Sequence, residues 1–329
     1  MKKNLMKSNL IRNILLMMLA VLFLSKETTL AAGNTVSSTA GNQHSLILKS
    51  DGTVWAWGVN NYGQLGDGTT VQKNVPVQVK GITNISRIAA GENHSLVLRS
   101  DGTVWSWGYN AYGQLGIYGN TSSIPVQVMD LTDVTEIAAG GNHGLALKKD
   151  GTVWMWGHIA GVGGKNTPFK VEGLTDVMAI AAGEGHSLAV KKDGTVWGWG
   201  ANNNAQLGIN NLTTIQSPTK INGLSNIVSV AGGYMHSLAL DANGKVYAWG
   251  HGGYGQIGDG INRTTLVLAP VNLPDLTEIE EIASGPYASH NLALKRDGTV
   301  YAWGKNDRGQ LGDGTTTNSN KPVKVKITP

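Results

Sequence analysis

The eight residues Asp51-Gly52-Thr53-Val54-Trp55-Ala56-Trp57-Gly58 return in near copy five more times, at 101–108, 150–157, 193–200, 243–250 and 297–304. All ten tryptophans fall within these six copies. From Trp57 the second aromatic position recurs at Trp107, Trp156, Trp199, Trp249 and Trp303, intervals of 50, 49, 43, 50 and 54 residues. A period of that length marks one supersecondary unit that cannot bury its own faces, so the chain must fold as a stack or ring of such units. The copies span nearly all of the 329 residues, which argues for one array rather than separate domains.

The second unit shows what each copy contains. Ile85-Ser86-Arg87-Ile88-Ala89-Ala90 is a short apolar strand stopped by Gly91. His94 to Arg99 then alternates, with His94, Leu96 and Leu98 on one face and Ser95, Val97 and Arg99 on the other. Asp101-Gly102 between two alternating runs is a hairpin signal, because Gly accepts the positive φ that the turn needs. The third strand, 104–107, sets Trp105 and Trp107 on one face with only Ser106 between them, a pattern suited to holding neighbouring sheets together. After a turn-rich stretch, 125–128 is a fourth strand whose opening Pro125 lacks an N–H and so favours a sheet edge. Four short strands per unit and no helical periodicity predict an all-β fold, a single β-propeller of six four-stranded blades. The phase of the repeat also predicts that 323–327 joins the first repeat's strands and closes the ring.

Residues 1–32 read as an export signal and 33–329 as the propeller. Lys2, Lys3, Lys7 and Arg12 precede an uncharged apolar core, 14–24, which is followed by Thr29-Leu30-Ala31-Ala32-Gly33. Eleven apolar residues are too few for a membrane span, which takes about 20. Cleavage is expected after Ala31 or Ala32, leaving a secreted protein with no membrane attachment. Without Lys2, Lys3, Lys7, Arg12, Lys26 and Glu27, the mature chain holds 21 basic and 21 acidic residues. Zero net charge and no other Lys/Arg run give no warrant for nucleic-acid binding. The absence of cysteine excludes disulfides and thiolate ligands.

Three segments recur in order: Ala-Ala-Gly-x-x-His-Ser-Leu-x-Leu, Asp-Gly-x-Val-Trp-x-Trp-Gly and Asn-x-x-Gly-Gln-Leu-Gly. They resemble the repeats of the regulator of chromosome condensation family. The resemblance implies a ring-shaped β-propeller, usually of seven blades, against six copies counted here. It also implies one of two activities. Intracellular members are guanine-nucleotide exchange factors for a small GTPase, and secreted bacterial members resemble β-lactamase-inhibitory propellers. The leader and the neutral mature charge fit the secreted branch.

No catalytic, cofactor or metal site is expected. The six repeat histidines, His44, His94, His143, His186, His236 and His290, stand a whole unit apart without a companion carboxylate. They read as structural groups bonding turn backbone. Asp67, Asp259 and Asp313 read as turn residues, since a calcium loop needs several alternating oxygens. His158 and His251 read as exposed loop residues. No Gly-x-Ser-x-Gly elbow and no Gly-rich phosphate loop occur.

A four-stranded meander sends the first and third connections of every unit to one side and the Asp-Gly hairpins to the other. The first side carries Tyr62, Tyr109, Tyr112, Tyr234, Met235, Tyr254, Tyr287 and Arg308, residue types that concentrate binding energy at interfaces. The resemblance implies the same two loop sets. Tyr234, Met235 and Tyr287 fall just before a repeat His, and Tyr62, Tyr112 and Tyr254 fall between Trp-Gly and the Gly-Gln position. The expectation is a monomeric, non-catalytic propeller that binds a protein partner through this face, a β-lactamase-like enzyme being one candidate. An exported enzyme or binder of cell-envelope polymers is the alternative.

Overall fold

The computed structural model describes residues 34–159 and 161–327. The leader and its cleavage site lie outside the described residues. The described chain from Thr35 onward forms six antiparallel four-stranded sheets, each built from one continuous run: 35–78, 85–127, 134–170, 177–221, 227–272 and 279–324. In the first blade β1 (Thr35–Ala40), β2 (His44–Lys49), β3 (Val54–Gly58) and β4 (Lys73–Gln78) lie in chain order from the channel outward. All described regular elements are strands.

The repeat's sequence explains its register. The β2–β3 hairpin pairs His44 with Gly58 at one end and Leu48 with Val54 at the other. In the turn, Asp51 Oδ1 accepts from the Thr53 amide at 2.9 Å and from its hydroxyl at 2.6 Å, while Thr53 Oγ1 accepts from Trp55 Nε1 at 3.2 Å. The Thr53 hydroxyl and amide hold the Asp51 carboxyl below its ordinary range. At the other end Gly58 has φ 110° and lies so near the preceding turn that a Cβ would stand 2.5 Å from the Gln43 carbonyl oxygen. Only glycine fits there.

Five junctions between successive blades repeat one chemistry. The second tryptophan of the later blade is buried to 0–1% exposure and donates its indole N–H into the blade before it: Trp107 to the Gln64 carbonyl at 2.8 Å, Trp249 to Gln206 at 2.8 Å. Repeat 3 lacks the Gly-Gln-Leu-Gly segment, and Trp199 points at Met155 Sδ instead. The first tryptophans, Trp55, Trp105, Trp154 and Trp197, are half-buried beside the hairpins, with Lys49, Lys148 and Lys191 over three of the rings. The bond between blades is therefore the second tryptophan, not the pair.

The histidines also differ from the expectation of turn-backbone partners. His44 Nε2 meets Ser95 Oγ at 3.0 Å, His143 meets Ser187 at 3.0 Å, His186 meets Ser237 at 2.8 Å and His236 meets Asn291 Oδ1 at 2.6 Å, each in the next blade. Ser95 and Ser237 give their hydroxyl protons to the Gln64 and Gln206 carbonyls, so the imidazoles donate from Nε2. His94 has no such partner, because Gly144 occupies the Ser/Asn position and the Trp156 ring fills the space a side chain would need.

The sixth junction is not made this way, and the expected closure by 323–327 is not found. The outer strand Ser319–Lys324 pairs with Val300–Gly304 of its own blade, while the first blade has its own outer strand, β4. Leu292 is 38% exposed, whereas Leu46, Leu96, Leu145, Leu188 and Leu238 at the same position are 0% exposed. Trp57 is half-buried, and among the described residues it has no indole acceptor. Here the turn of the sixth blade only touches the first: a Cβ on Gly285 would stand 3.7 Å from the Ala40 carbonyl oxygen.

Candidate functional site

The meander places all eight predicted residues on one face, since the turns before each repeat His and the loops after each Trp-Gly emerge at the same sheet end. On that face they form three separate groups.

The first is an aromatic ridge. Tyr62 and Tyr109 have ring centroids 4.6 Å apart, Tyr109 and Tyr112 6.1 Å, and Tyr112 and His158 5.8 Å. Four rings from three successive blades are thus in continuous contact, with Tyr62 40% and Tyr112 50% exposed. Their loops are held from beneath by buried asparagines. Asn60 Oδ1 accepts from the Leu65 amide at 3.0 Å, and its Nδ2 donates to the Thr69 and Val71 carbonyls at 3.0 and 3.2 Å. Asn110 repeats this with Leu115 at 2.9 Å and the Gly119 carbonyl at 2.8 Å. Gly63 leans on the next blade so closely that a Cβ would lie 2.5 Å from the Ser123 Cα, which brings Tyr62 beside Tyr109. His158, expected in an exposed loop, is exposed but lies in a strand, Val153–Ile159, which runs past Gly157 where the third repeat is shortened.

The second group surrounds the channel. Tyr234 and Tyr287 stack with centroids 5.7 Å apart and planes at 28°, and the Tyr287 hydroxyl donates to Glu92 Oε2 at 2.7 Å. Burial, that hydrogen bond and the Glu92 charge all push the Tyr287 phenol upward. Glu184 is likewise raised, first by burial and then by Glu92. Beneath this mouth the six innermost strands enclose a cavity of about 650 Å³, walled by Ile88, Ile137, Ile180, Val230 and Ile282. Glu92 and Glu184 were not among the predicted residues.

The third group is peripheral. Tyr254, 43% exposed, packs on His251 at 5.9 Å with Lys305 Nζ 5.4 Å from its ring. Met235 is half-buried, and its carbonyl accepts from the His251 amide. Arg308 is exposed at a loop tip, its amide bonded to Gln310 Oε1. The structure does not bring Met235 or Arg308 to the other rings.

The turn readings of Asp67 and Asp313 agree with the geometry: each carboxylate accepts from a threonine two residues on and from a buried asparagine. Asp259 likewise accepts from the amide two residues on, Ile261 at 3.2 Å, and has Arg263 as its side-chain partner. No group of three metal-ligating side chains stands together among the described residues.

A family model described as the RCC1-like domain matches residues 20–329. Among curated proteins, the RCC2 homolog of Danio rerio is 37% identical over 49 residues and the E3 ubiquitin-protein ligase HERC2 of Homo sapiens 51% over 49 residues, 15% of this chain in each case. These matches span 10% and 1% of the length of those relatives. The crystal structure of human WBSCR16 superposes with a TM-score of 0.79 at 27% identity, covering 90% of this chain and 82% of that one. Prp20p of Saccharomyces cerevisiae, a protein studied for its binding to Gsp1p and histones, gives 0.79 at 25% identity, covering 89% and 77%.

Proposed function

We propose, on the premise that this chain belongs to the RCC1-like domain family, that it is a secreted, non-catalytic propeller whose tyrosine-bearing face binds a protein partner. The observation that carries this reading is the ridge Tyr62–Tyr109–Tyr112–His158. Exposed aromatic rings held in place by buried asparagines lose little freedom on binding and supply large contact area, the chemistry of interface hot spots. Prp20p, with the same fold, binds the proteins Gsp1p and histones, which supports a protein as partner.

The alternative of an envelope polymer is less well supported by the ridge itself. Its successive rings are inclined at 50°, 75° and 33°, a corrugated surface that interlocks with side chains better than it stacks on a flat chain of sugar rings. Secretion rests on the leader, and sequencing the N-terminus of exported protein tests it: a chain starting at Ala32 or Gly33 supports it, and one starting at Met1 refutes it.

The face is tested once a partner is captured on purified protein. Tyr62→Ala and Tyr112→Ala should each weaken binding by about thirtyfold, the loss of one hot-spot ring of about 2 kcal/mol. Lys149→Ala and Lys192→Ala, exposed on the hairpin side, should leave it unchanged. Loss confined to the lysine variants would place the partner on the opposite face.

A further inference from the structure

One repeat position converges on the channel mouth. The residue two before each repeat His is Asn42, Glu92, Gly141, Glu184 and Tyr234 in blades 1–5, and in blade 6, whose turn is two residues longer, Ala288 follows Tyr287. Backbone bonds join these turns side by side. The Asn42 amide donates to the Glu92 carbonyl at 3.4 Å, Glu92 to Gly141 at 3.3 Å, Gly141 to Glu184 at 2.9 Å, Glu184 to Gly233 at 3.4 Å and Tyr234 to Ala288 at 2.9 Å. The rim is therefore a fixed belt, and its side chains are the variable part of an otherwise regular repeat.

Two of those side chains, Glu92 and Glu184, are acidic. Glu92 and Glu184 are both half-buried, and among the described residues neither makes an ion pair. The two stacked tyrosines stand beside them, with the Tyr287 hydroxyl anchored on Glu92 and 3.1 Å from where a Cβ on Gly141 would be. Burial first, and then the Glu92 charge, hold the Glu184 carboxyl above its ordinary range. A cation placed beside the two carboxylates offsets their repulsion. Behind the mouth lies the 650 Å³ cavity, whose lining adds the carboxylate of Glu281 and the hydroxyls of Ser38, Thr39 and Ser284 to the isoleucines of the inner strands.

Resting on the protein-binding reading above, we infer that the channel mouth framed by Glu92, Glu184, Tyr234 and Tyr287 receives an arginine or lysine side chain of the protein partner, with its charge beside the two carboxylates. The ridge then supplies contact area, and the mouth selects a partner with a projecting basic residue.

The probe is acetyl-Gly-Arg-Gly-amide against the same peptide with citrulline, which keeps the shape and removes the charge. The purified protein is labelled with 3-fluorotyrosine and read by fluorine NMR, the signals of Tyr234 and Tyr287 being assigned through Tyr→Phe variants. The arginine peptide should shift these two signals saturably and the citrulline peptide should not. The double variant Glu92→Gln, Glu184→Gln should weaken the arginine peptide at least tenfold while its thermal melt, followed by circular dichroism, shows that the fold is kept. Equal binding of the two peptides, no shift with either, or undiminished binding by the double variant overturns the inference. If the captured partner is released by Tyr112→Ala but held equally well by the double variant, the protein-binding reading stands and this inference alone fails.

Discussion

Acid should unfold this protein through its repeat histidines. Burial lowers His44 and His236 to about 4 and His94, His143 and His186 to about 3, from an ordinary 6.5. A folded-state pKa below the unfolded value means that the stabilisation holds above pH 6.5 and is lost as pH falls towards 3–4, because only the unfolded chain binds the protons. At pH 5.5 each unfolded histidine gains about 1.4 kcal/mol from protonation, against about 0.2 kcal/mol at pH 7, so five of them remove about 6 kcal/mol. Glu136, pushed up to about 7 by burial, titrates the other way and returns about 1–2 kcal/mol over the same interval. A net loss of about 4–5 kcal/mol is comparable with the whole stability of many domains, about 5–15 kcal/mol. Urea unfolding followed by tryptophan fluorescence between pH 7.5 and 5 measures it directly. His186→Gln should lower the proton uptake on unfolding by about one. Stability that changes by less than about 1 kcal/mol between pH 7 and 5.5 would refute the reasoning, because it would mean that the imidazoles are solvated in the folded ring.

Other perturbations separate the five made junctions from the sixth. Trp249→Ala removes a fully buried ring and its bond to the Gln206 carbonyl, and should cost about 3–5 kcal/mol. Trp57→Ala, at the half-buried position, should cost less than half as much in the same urea titration. His186→Ala should destabilise more than His94→Ala by about 1 kcal/mol, since only His186 has a hydrogen-bond partner to lose. Gly108→Ala, at φ 105° with the Asn93 carbonyl oxygen 2.4 Å from the added Cβ, should lower the melting temperature well beyond Gly173→Ala, which has φ 81° and open space around it. Equal shifts for the two glycine variants would show that the turn adapts.

Much of this architecture was legible because the repeat states it six times. The Asp-Gly-Thr hairpins and the Trp-Gly strand ends appear where alternation and turn chemistry put them, and meander parity assigned the tyrosines to one face. Ring closure was not legible because a cyclic repeat has no inherent phase. A fourth strand following a long loop can serve its own blade or the next, and only the ladder between β3 and β4, from Trp55 with Gln78 to Gly58 with Lys73 across a bulge, shows that it stays at home. The histidine partners were hidden for a related reason: Ser95 and Ser237 lie a full repeat away from His44 and His186, and only blade packing brings them together. The site was half visible. Tyrosine could be recognised as an interface residue in isolation, whereas Glu92 and Glu184 acquire meaning only when six equivalent turns meet around one axis.

Because every blade keeps all four of its own strands, the repeat behaves as a self-contained cassette. Chain connectivity does not couple the first blade to the last, so adding or losing a unit of about fifty residues leaves every remaining sheet intact and alters only the contacts at the new boundary. In statistical terms the molecule is a line of nearest-neighbour couplings bent into a circle, with a weak bond where the ends approach. Amide exchange should accordingly grade from fastest at the sheets flanking Trp57 and Leu292 to slowest near Trp156 and Trp199, on the far side of the ring.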